Sequence, residues 1–422
     1  MTGDPRTPAP SCADDSDPNS LTVEAALARM AAAVPAPVGT EQVALRAALG
    51  RVLAEEILSP VNVPSHTNSA MDGYAVRGTD LPASGETTLA VVGTAYAGNP
   101  FAGSVEPGQC VRIMTGAMMP PGADTVVMQE QVARNGETIR LGEGHRTGQN
   151  VRQAGEDLAA GRPALPAGQR ITPAELGLLA SLGVAEVRVQ RRLRVAFFST
   201  GDELRSIGEL LAEVEIYDSN RYTLHGMLSR LGVEALDMGV VRDRPELMRE
   251  AFERAAAMAD VVITTGGVSV GEADYVRETL AALGAVNFWK IAMRPGRPLA
   301  FGRLRDAVFF GLPGNPVAVM VTFYAFVQPT LRRMLGEPDG TALRFRVPSA
   351  QPLRKRPGRT EYQRGILHRD EDGQLVVRTT GAQGSGILKS MSQANCFIVL
   401  GHDQGSVAAG DPVEVQPFEG LV

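Results

Sequence analysis

The chain has 422 residues, of which 44% are hydrophobic and 21% charged, so it should fold over most of its length into about two to four domains. Its formal net charge of −6 argues against a general nucleic-acid-binding protein, which would present a basic surface.

The cysteines and the N-terminus indicate a cytoplasmic protein. Cys12, Cys110 and Cys396 form neither a CxxC pair nor a zinc-binding spacing, which argues against a disulfide scaffold or a structural metal. No stretch of about 18 apolar residues could span a membrane. Residues 1–19 lack a basic start and an apolar stretch, so they do not form a secretory signal, and their Pro, Asp and Ser content predicts a disordered tail.

Helical patterns open the folded part of the chain. Residues 21–30 have helical periodicity, with Ser20 as an N-cap. A second helical pattern covers residues 41–58, and Gly50 is expected to interrupt it. Both segments are assigned to an N-terminal domain.

The sequence from residue 61 to 150 has a different character. It is rich in Gly and Pro and contains short apolar runs, which predicts a β-rich module. A strong helical signal returns at 172–182, where Thr-Pro-x-Glu matches a capping box with proline at the first helical position. We therefore predict a split N-terminal domain, residues 20–60 and 151–188, with 61–150 inserted in it.

The rest of the chain predicts two further domains. Residues 189–337 alternate continuous apolar strands with helices, which predicts an α/β domain with a parallel sheet covered by helices on both faces. Residues 338–422 contain short strands and turns, including an Asp372-Gly373 hairpin, and predict a C-terminal β-barrel. The predicted fold is thus a multidomain α/β protein.

Four loops of the α/β domain follow strand ends, where ligands bind in such sheets. Their glycines admit a ligand close to the backbone, helix N-termini suit phosphate, and carboxylates suit a hydrated divalent cation. Taken singly, each has a structural alternative: Asp243 and Asn315 as N-caps, Glu203 as a solvated residue at the start of a helix. The loop residues are Gly201, Asp202, Glu203, Arg242, Asp243, Gly266, Gly267, Ser269, Gly271, Glu272, Asp274, Pro313, Gly314 and Asn315.

Two basic segments are candidates for binding an oxyanion. Lys290, Arg294 and Arg297 lie in a segment that prolines keep from forming a regular helix, and arginine offers a planar pair of donors to an oxyanion. A solvated basic loop is the alternative. The second run, residues 354–364, ends at Arg364 and is interpreted mostly as surface charge.

Several motifs, in order, resemble those of the molybdopterin molybdenumtransferase family, which includes MoeA and the E domain of gephyrin. They are NSAMDGYAV, RIMTGAMMPPGADTVV, STGDEL, YDSNRYTL, TTGGVSVGEADY, MRPGRPLAFG, GLPGNPVAVMV and GSGILKSMSQANCFIVL. The resemblance extends from about residue 20 to residue 418.

The resemblance implies an enzyme of molybdenum cofactor biosynthesis. Such enzymes insert molybdenum from molybdate into adenylylated molybdopterin, release AMP and require a divalent cation such as Mg²⁺. It also implies an α/β domain like that of molybdopterin adenylyltransferases, a possible adenylyltransferase partner, and an elongated homodimer. The dimer's active cleft would combine the α/β domain of one subunit with the inserted domain of the other. Neither nucleic acid nor a membrane is expected as a partner.

The family's site residues carry over onto matching positions. Asp72, Thr115, Glu203, Asp243, Asp274 and Lys290 would be catalytic, with Glu203, Asp243 and Asp274 as metal ligands. Molybdate would be bound by Arg294, Arg297, Arg364 and Ser385. The adenylylated substrate would contact Gly266, Gly267, Ser269, Gly271, Pro295, Gly296, Pro298, Pro313, Gly314 and Asn315. Some relatives have lysine at positions 294 and 297, which keeps the charge but changes the donor geometry.

Two alternatives stay open at this point. One is a non-catalytic molybdopterin-binding or scaffolding protein on the same fold, as in gephyrin, which also anchors receptors. The other is a sugar-phosphate or nucleotide enzyme on a similar sheet, which the fold alone permits.

Overall fold

The computed structural model describes residues 20–35, 37, 39–266, 274–338, 340 and 342–418, with side chains except those of residues 274–277. Several positions from the sequence predictions lie outside these limits: the tail 1–19 with Cys12, the loop residues Gly267, Ser269, Gly271 and Glu272, and the side chain of Asp274.

The N-terminal part contains strands from both sides of the 61–150 segment that pair with each other. Strand Thr40–Ala44 pairs antiparallel with Glu186–Gln190, and Ile57–Leu58 pairs with Pro163–Leu165. Helix Pro173–Ser181 begins with the predicted capping box at Thr172. Further elements here are helix Val23–Ala33, which Thr22 caps in place of the predicted Ser20, and the two-residue strands Asn68–Ser69 and Val151–Arg152.

The predicted helix over residues 41–58 is wrong. Only the 3₁₀ turn Leu45–Ala47 is helical, and Gly50 has a left-handed φ of +75°. Val52 and Leu53 of this segment are buried through pairing with distant residues; Leu53, for example, bridges to Val189. Tertiary pairing therefore overrides a local helical pattern.

The insertion forms a six-stranded, mostly antiparallel sheet with an apolar core on each face. Its strands, in spatial order, are Thr125–Met128, Gly73–Val76, Gln109–Ile113, Glu86–Ala95, Thr138–Gly142 and Val132–Asn135. Short 3₁₀ turns occupy Gly78–Asp80 and Gln129–Gln131.

The central sheet also has six strands, in the order Glu234–Val241, Arg194–Thr200, Val261–Thr265, Ala307–Leu312, Pro298–Leu304 and Gly284–Lys290. The first four are parallel, as predicted, and the last two add antiparallel neighbours that the sequence analysis did not identify. The small strands Leu204–Arg205 and Ile216–Tyr217 pair beside it.

Helices cover both faces of this sheet, as predicted. Alternate residues of one strand separate the two cores: Val195 and Phe197 face one, and Ala196 and Phe198 the other. Helix Ser219–Leu231 and the continuous segment Pro316–Thr322, Phe323–Val327 (a π-helical stretch) and Gln328–Met334 lie on the first face. Helices Pro245–Met258 and Asp274–Leu283 lie on the second.

The C-terminal region is β-rich. Its sheet contains Met293–Arg294, Thr360–Arg369, Cys396–Leu400, Pro412–Pro417 and Phe345–Pro348, with Leu375–Thr379 pairing alongside Thr360–Arg369. The hairpin predicted at Asp372-Gly373 is present, and one short helix spans Leu388–Gln393. Strand Met293–Arg294 follows the central-sheet strand Gly284–Lys290 in the chain but pairs with Thr360–Arg369, so it joins the two domains. None of the described helices has the length and apolar character needed to cross a membrane.

Candidate active site

Three parallel strands of the central sheet end close together. Gly266 follows one strand and has a φ of +86°, and a Cβ placed on it would lie 2.5 Å from the carbonyl oxygen of Thr200 on the neighbouring strand. A Cβ on Gly314, in the next loop, would lie 3.8 Å from the Cα of Gly266. The structure therefore brings three of the four predicted loops to one edge, where only glycine fits at position 266.

Buried polar side chains form the floor of this edge. The Nδ2 amide of Asn220 donates to the carbonyl oxygen of Gly314 at 2.7 Å, and the hydroxyls of Ser199 and Thr265 are 2.9 Å apart. Within the described residues, the Oδ1 atom of Asn220 and the Oγ1 atom of Thr200 are buried without a hydrogen-bond partner. Unsatisfied polar atoms at a strand edge are a feature of sites that take a polar ligand or ordered water.

The two acidic loops lie side by side. The Glu203 carboxylate folds over Gly201, whose Cβ, if present, would lie 2.6 Å from it. The guanidinium of Arg242 donates to the carbonyl oxygen of Asp202 at 2.6 Å, and the Asp243 N–H donates to the Asp202 carboxylate at 3.4 Å. Glu203 and Asp243 are both exposed at this edge.

Asp243 does not cap the helix that follows it. The N-cap position of helix Pro245–Met258 is Arg244, whose side chain makes no capping hydrogen bond. The structural alternative for Asp243 is therefore wrong. In the described part of the chain, no three His, Cys, Asp or Glu side chains converge as a metal site, and the Asp274 side chain is outside that part.

A cationic cavity of about 240 Å³, lined by three arginines and the single carboxylate of Glu361, lies beside strand Met293–Arg294 of the C-terminal sheet. Arg294 and Arg364 both line it. The Arg364 side chain is only 1% exposed; its Nε donates to the Ser390 hydroxyl at 3.1 Å and its terminal nitrogen to the Gly384 carbonyl at 3.1 Å. Neither partner is charged.

Burial, together with repulsion from Arg294, lowers the pKa of the Arg364 guanidinium to about 10. It is still charged at neutral pH, and no carboxylate among the described residues forms an ion pair with it. A buried cation in this state is stabilised by an anion. The interpretation of residues 354–364 as mostly surface charge therefore does not extend to Arg364, or to Lys355, which is buried with its ammonium bonded to three carbonyl oxygens.

The cavity and the strand edge are connected through helix Pro316–Thr322. The Ser385 carbonyl oxygen accepts the N–H of Val317 in the first turn of that helix, at 3.0 Å. A Cβ on Gly296 would lie 2.5 Å from the Thr322 side chain, so the Arg294–Arg297 turn packs on the same helix.

The other predicted residues of the basic segment lie at the ends of two paired strands. Lys290 ends one strand opposite Pro298, and the Arg297 carbonyl oxygen accepts the N–H of Ile291 at 2.7 Å. Pro295 and Gly296 are buried, whereas Asn315 is exposed beside Pro313 and Gly314.

Asp72 and Thr115 form a separate pair on the inserted sheet. The Asp72 carboxylate accepts hydrogen bonds from the Thr115 backbone N–H at 2.7 Å and the Thr115 hydroxyl at 2.8 Å. Within the described chain, hydrogen bonds and ion pairs of residues 67–150 stay in this module or go to the adjoining segment 150–154. The structure does not join this pair to the central site by such a bond within one subunit.

Sequence analysis missed several residues that organise the site. Two of them, Asn220 and Arg221, lie in the motif YDSNRYTL and had no predicted role. The buried Arg221 guanidinium bonds to Asp237 and to the Ser206 hydroxyl, both at 3.2 Å, and so ties the loop after Glu203 to the strand that precedes Asp243. An asparagine and an arginine in the first turn of a helix, on an otherwise apolar inner face, were the available signal.

Comparison with known families gives three matches that together span most of the chain. Residues 21–183 match the MoeA N-terminal region (domain I and II), 196–333 match a probable molybdopterin binding domain, and 346–418 match the MoeA C-terminal region (domain IV).

Relatives and solved structures agree with these matches. The chain is 46% identical to a molybdopterin molybdenumtransferase of Haemophilus influenzae over 95% of this chain and all of that protein. It is 40% identical to one from a Nostoc species, over 89% of this chain and 88% of the relative. A molybdopterin biosynthesis MoeA protein of Pyrococcus horikoshii superposes with a TM-score of 0.83 at 28% identity, covering 94% of this chain and 100% of that one.

Proposed function

Because the chain belongs to the molybdopterin molybdenumtransferase family, we propose that it inserts molybdenum from molybdate into adenylylated molybdopterin and releases AMP. The product is molybdenum cofactor. The observation that carries the proposal is Arg364, a buried cation beside Arg294 in a small cavity that helix Pro316–Thr322 links to the glycine-lined strand edge.

Two anionic reactants must be held together. Molybdate is a tetrahedral dianion that fits the cationic cavity, where Arg364 and Arg294 compensate its charge, with Arg297 and Ser385 nearby in the chain. The adenylylated substrate binds at the strand edge, where Gly266 and Gly314 allow its phosphates to approach the backbone. Lys290 supplies further positive charge, and proximity then favours transfer to the dithiolene.

Mg²⁺ is the proposed cofactor. Glu203 and Asp243 offer carboxylate oxygens, the ligands this ion prefers, on loops joined through Asp202. Asp274, as the first residue of helix Asp274–Leu283, completes the proposed set. When bound, the ion would neutralise phosphate charge as AMP leaves.

A homodimer completes the proposed site. Asp72 and Thr115 would reach the central cleft of the other subunit, since no hydrogen bond or ion pair of the described residues ties them to the cleft of their own. The loop after Glu203 exposes apolar side chains that a partner could cover, with Leu210 95% and Val214 82% exposed. A molybdopterin adenylyltransferase is the proposed source of substrate, and the cytoplasm the proposed location.

The direct test uses purified full-length protein with adenylylated molybdopterin, molybdate and Mg²⁺. AMP and active cofactor should form, and omission of Mg²⁺ or molybdate should stop cofactor formation. Asp243→Asn should lose activity, whereas Asp403→Asn, at a position 99% exposed in another domain, should keep it. Absence of both AMP and cofactor from the complete wild-type reaction would refute the proposal.

A further inference from the structure

The backbone of Arg364 is paired in an unusual way. Strand Leu375–Thr379 runs along Thr360–Arg369 only as far as the pairing of Gly365 with Thr379, after which the chain turns away. The Thr380 N–H makes the last backbone bond of this pairing, to the Arg364 carbonyl oxygen at 3.0 Å, and no strand follows to accept the Arg364 N–H, so the side-chain amide of Gln383 takes that place. The Gln383 Oε1 accepts a hydrogen bond from the Arg364 N–H at 2.7 Å, and the Gln383 Nε2 donates one to the Arg364 carbonyl oxygen at 3.3 Å.

The same turn also grips the Arg364 side chain. Gly384, the next residue, accepts a hydrogen bond from the guanidinium at 3.1 Å. Ser385, one residue further, accepts the N–H of Val317 at 3.0 Å and so fixes the turn to the helix that follows Pro313 and Gly314. Three consecutive residues thus link the buried arginine to the strand edge.

A purely structural role does not explain why this residue lies here. Gln383 is only partly buried and lines the cavity together with Arg294 and Arg364, and the Arg364 carbonyl already accepts the Thr380 N–H, so water could satisfy the Arg364 N–H if satisfaction were all that was needed. Water would not fix the distance between Arg364 and the 384–385 backbone. A side-chain amide bonded to both backbone groups of one residue does fix it.

We propose that Gln383 is a positioning residue for oxyanion binding, which holds Arg364 and Ser385 at the separation that molybdate requires. The inference rests on the proposed function, in which Arg364 and Ser385 bind molybdate. Gln383 acts through these residues and not on the adenylylated substrate, so its loss should affect one substrate only.

The test is steady-state kinetics of Gln383→Ala with each substrate varied in turn. The KM for molybdate should rise about five- to tenfold, because one hydrogen bond is lost and Arg364 is then less well placed to bind the anion. Saturating molybdate should restore kcat, and the KM for adenylylated molybdopterin and the Tm should stay near wild type. Gln383→Met, which keeps the length of the side chain without its amide, should behave alike and serves if the alanine variant does not fold.

Gln404→Ala is the matched control. Gln404 also accepts a backbone N–H, from Gly401 at 3.0 Å, in another turn of the same sheet and away from the cationic cavity. It should leave the molybdate KM unchanged. The inference would be overturned if the molybdate KM were unchanged in both Gln383 variants. It would also be overturned if the KM for molybdate and the KM for adenylylated molybdopterin rose equally while the Tm fell. Either result leaves the proposed function intact as long as the wild type is active, whereas an inactive wild type would refute that function.

Discussion

The carboxylate of Asp72 accepts two hydrogen bonds from one residue, Thr115, through its backbone N–H at 2.7 Å and its hydroxyl at 2.8 Å. The backbone bond, followed by the hydroxyl bond, lowers the pKa of Asp72 below its usual value. Both residues are exposed on loops of the inserted sheet. The pair therefore presents a fixed, ionised carboxylate at the surface. A group that completes a site in another subunit would need to be exposed in this way.

Thr115→Val should move the acid limb of the pH–rate profile to higher pH. A lowered pKa keeps Asp72 ionised as the pH falls, and the stabilisation from its bonds is lost only as the pH passes through the folded-state pKa. Valine removes the hydroxyl bond but keeps the backbone one, so the pKa should rise towards its usual value. AMP release measured between about pH 4 and pH 8 reports the shift.

Thr138→Val is the control for this experiment, because its hydroxyl donates to a carbonyl oxygen in the same sheet and to no carboxylate. Its acid limb should coincide with that of the wild type. If Thr115→Val left the acid limb in place while reducing activity at all pH values, Thr115 would act other than through the ionisation of Asp72.

Local patterns predicted local structure here, and distant pairing decided the rest. The capping box at Thr172 was predictable because its hydrogen bonds span three residues. The helix over residues 41–58 failed because strand 186–190, far along the chain, pairs with its first residues. Arg364 reads as surface charge in a basic run, since only the folded sheet shows that it is buried. The roles of single site residues, including Asp72 and Arg364, stay predictions.

Mixing two inactive variants should restore activity if the cleft is shared between subunits. Asp72→Ala removes a group of the inserted module, and Asp243→Ala removes one of the central edge. In a mixed dimer one cleft then carries both changes and the other carries neither. Random reassortment makes half the dimers mixed, so activity should return to about a quarter of the wild-type value. Light scattering tests for the proposed dimer, and AMP release gives the activity.

The control mixture is Asp72→Ala with Asp72→Asn, two changes at the same position of the inserted module that both remove its carboxylate. Each cleft of that mixed dimer carries one change, so no activity should return. If the first mixture also stayed inactive after subunit exchange had been demonstrated, the site would be confined to one subunit.

Arg364→Met should abolish molybdate use without destabilising the fold. The arginine is buried, has no anionic partner among the described residues and is repelled by Arg294, so an apolar residue of similar length should leave the free energy of unfolding equal or raise it by about 1–2 kcal/mol. Molybdate should raise the Tm of the wild type, because a ligand at 100 times its Kd stabilises by about 2.7 kcal/mol, and should not raise that of the variant.

Arg346→Met, at an exposed arginine of the same sheet, should retain the molybdate-induced rise in Tm. A strongly destabilised Arg364→Met protein would show that the guanidinium of Arg364 stabilises the fold. A variant that kept the molybdate-induced rise would move the oxyanion site elsewhere.

Gly266→Ala should lower both stability and affinity for the adenylylated substrate. The new Cβ would lie 2.5 Å from the Thr200 carbonyl oxygen, on a backbone with a φ of +86°. Strain and clash together should lower the free energy of unfolding by about 2–4 kcal/mol.

Gly373→Ala separates strain from clash, because its φ of +80° is similar but nothing lies within 4 Å of the added carbon. It should cost about 1 kcal/mol and leave kinetics unchanged. Urea unfolding gives the stabilities, and the KM for adenylylated molybdopterin reports the strand edge; equal losses for both variants would mean that close approach at Gly266 has no special role.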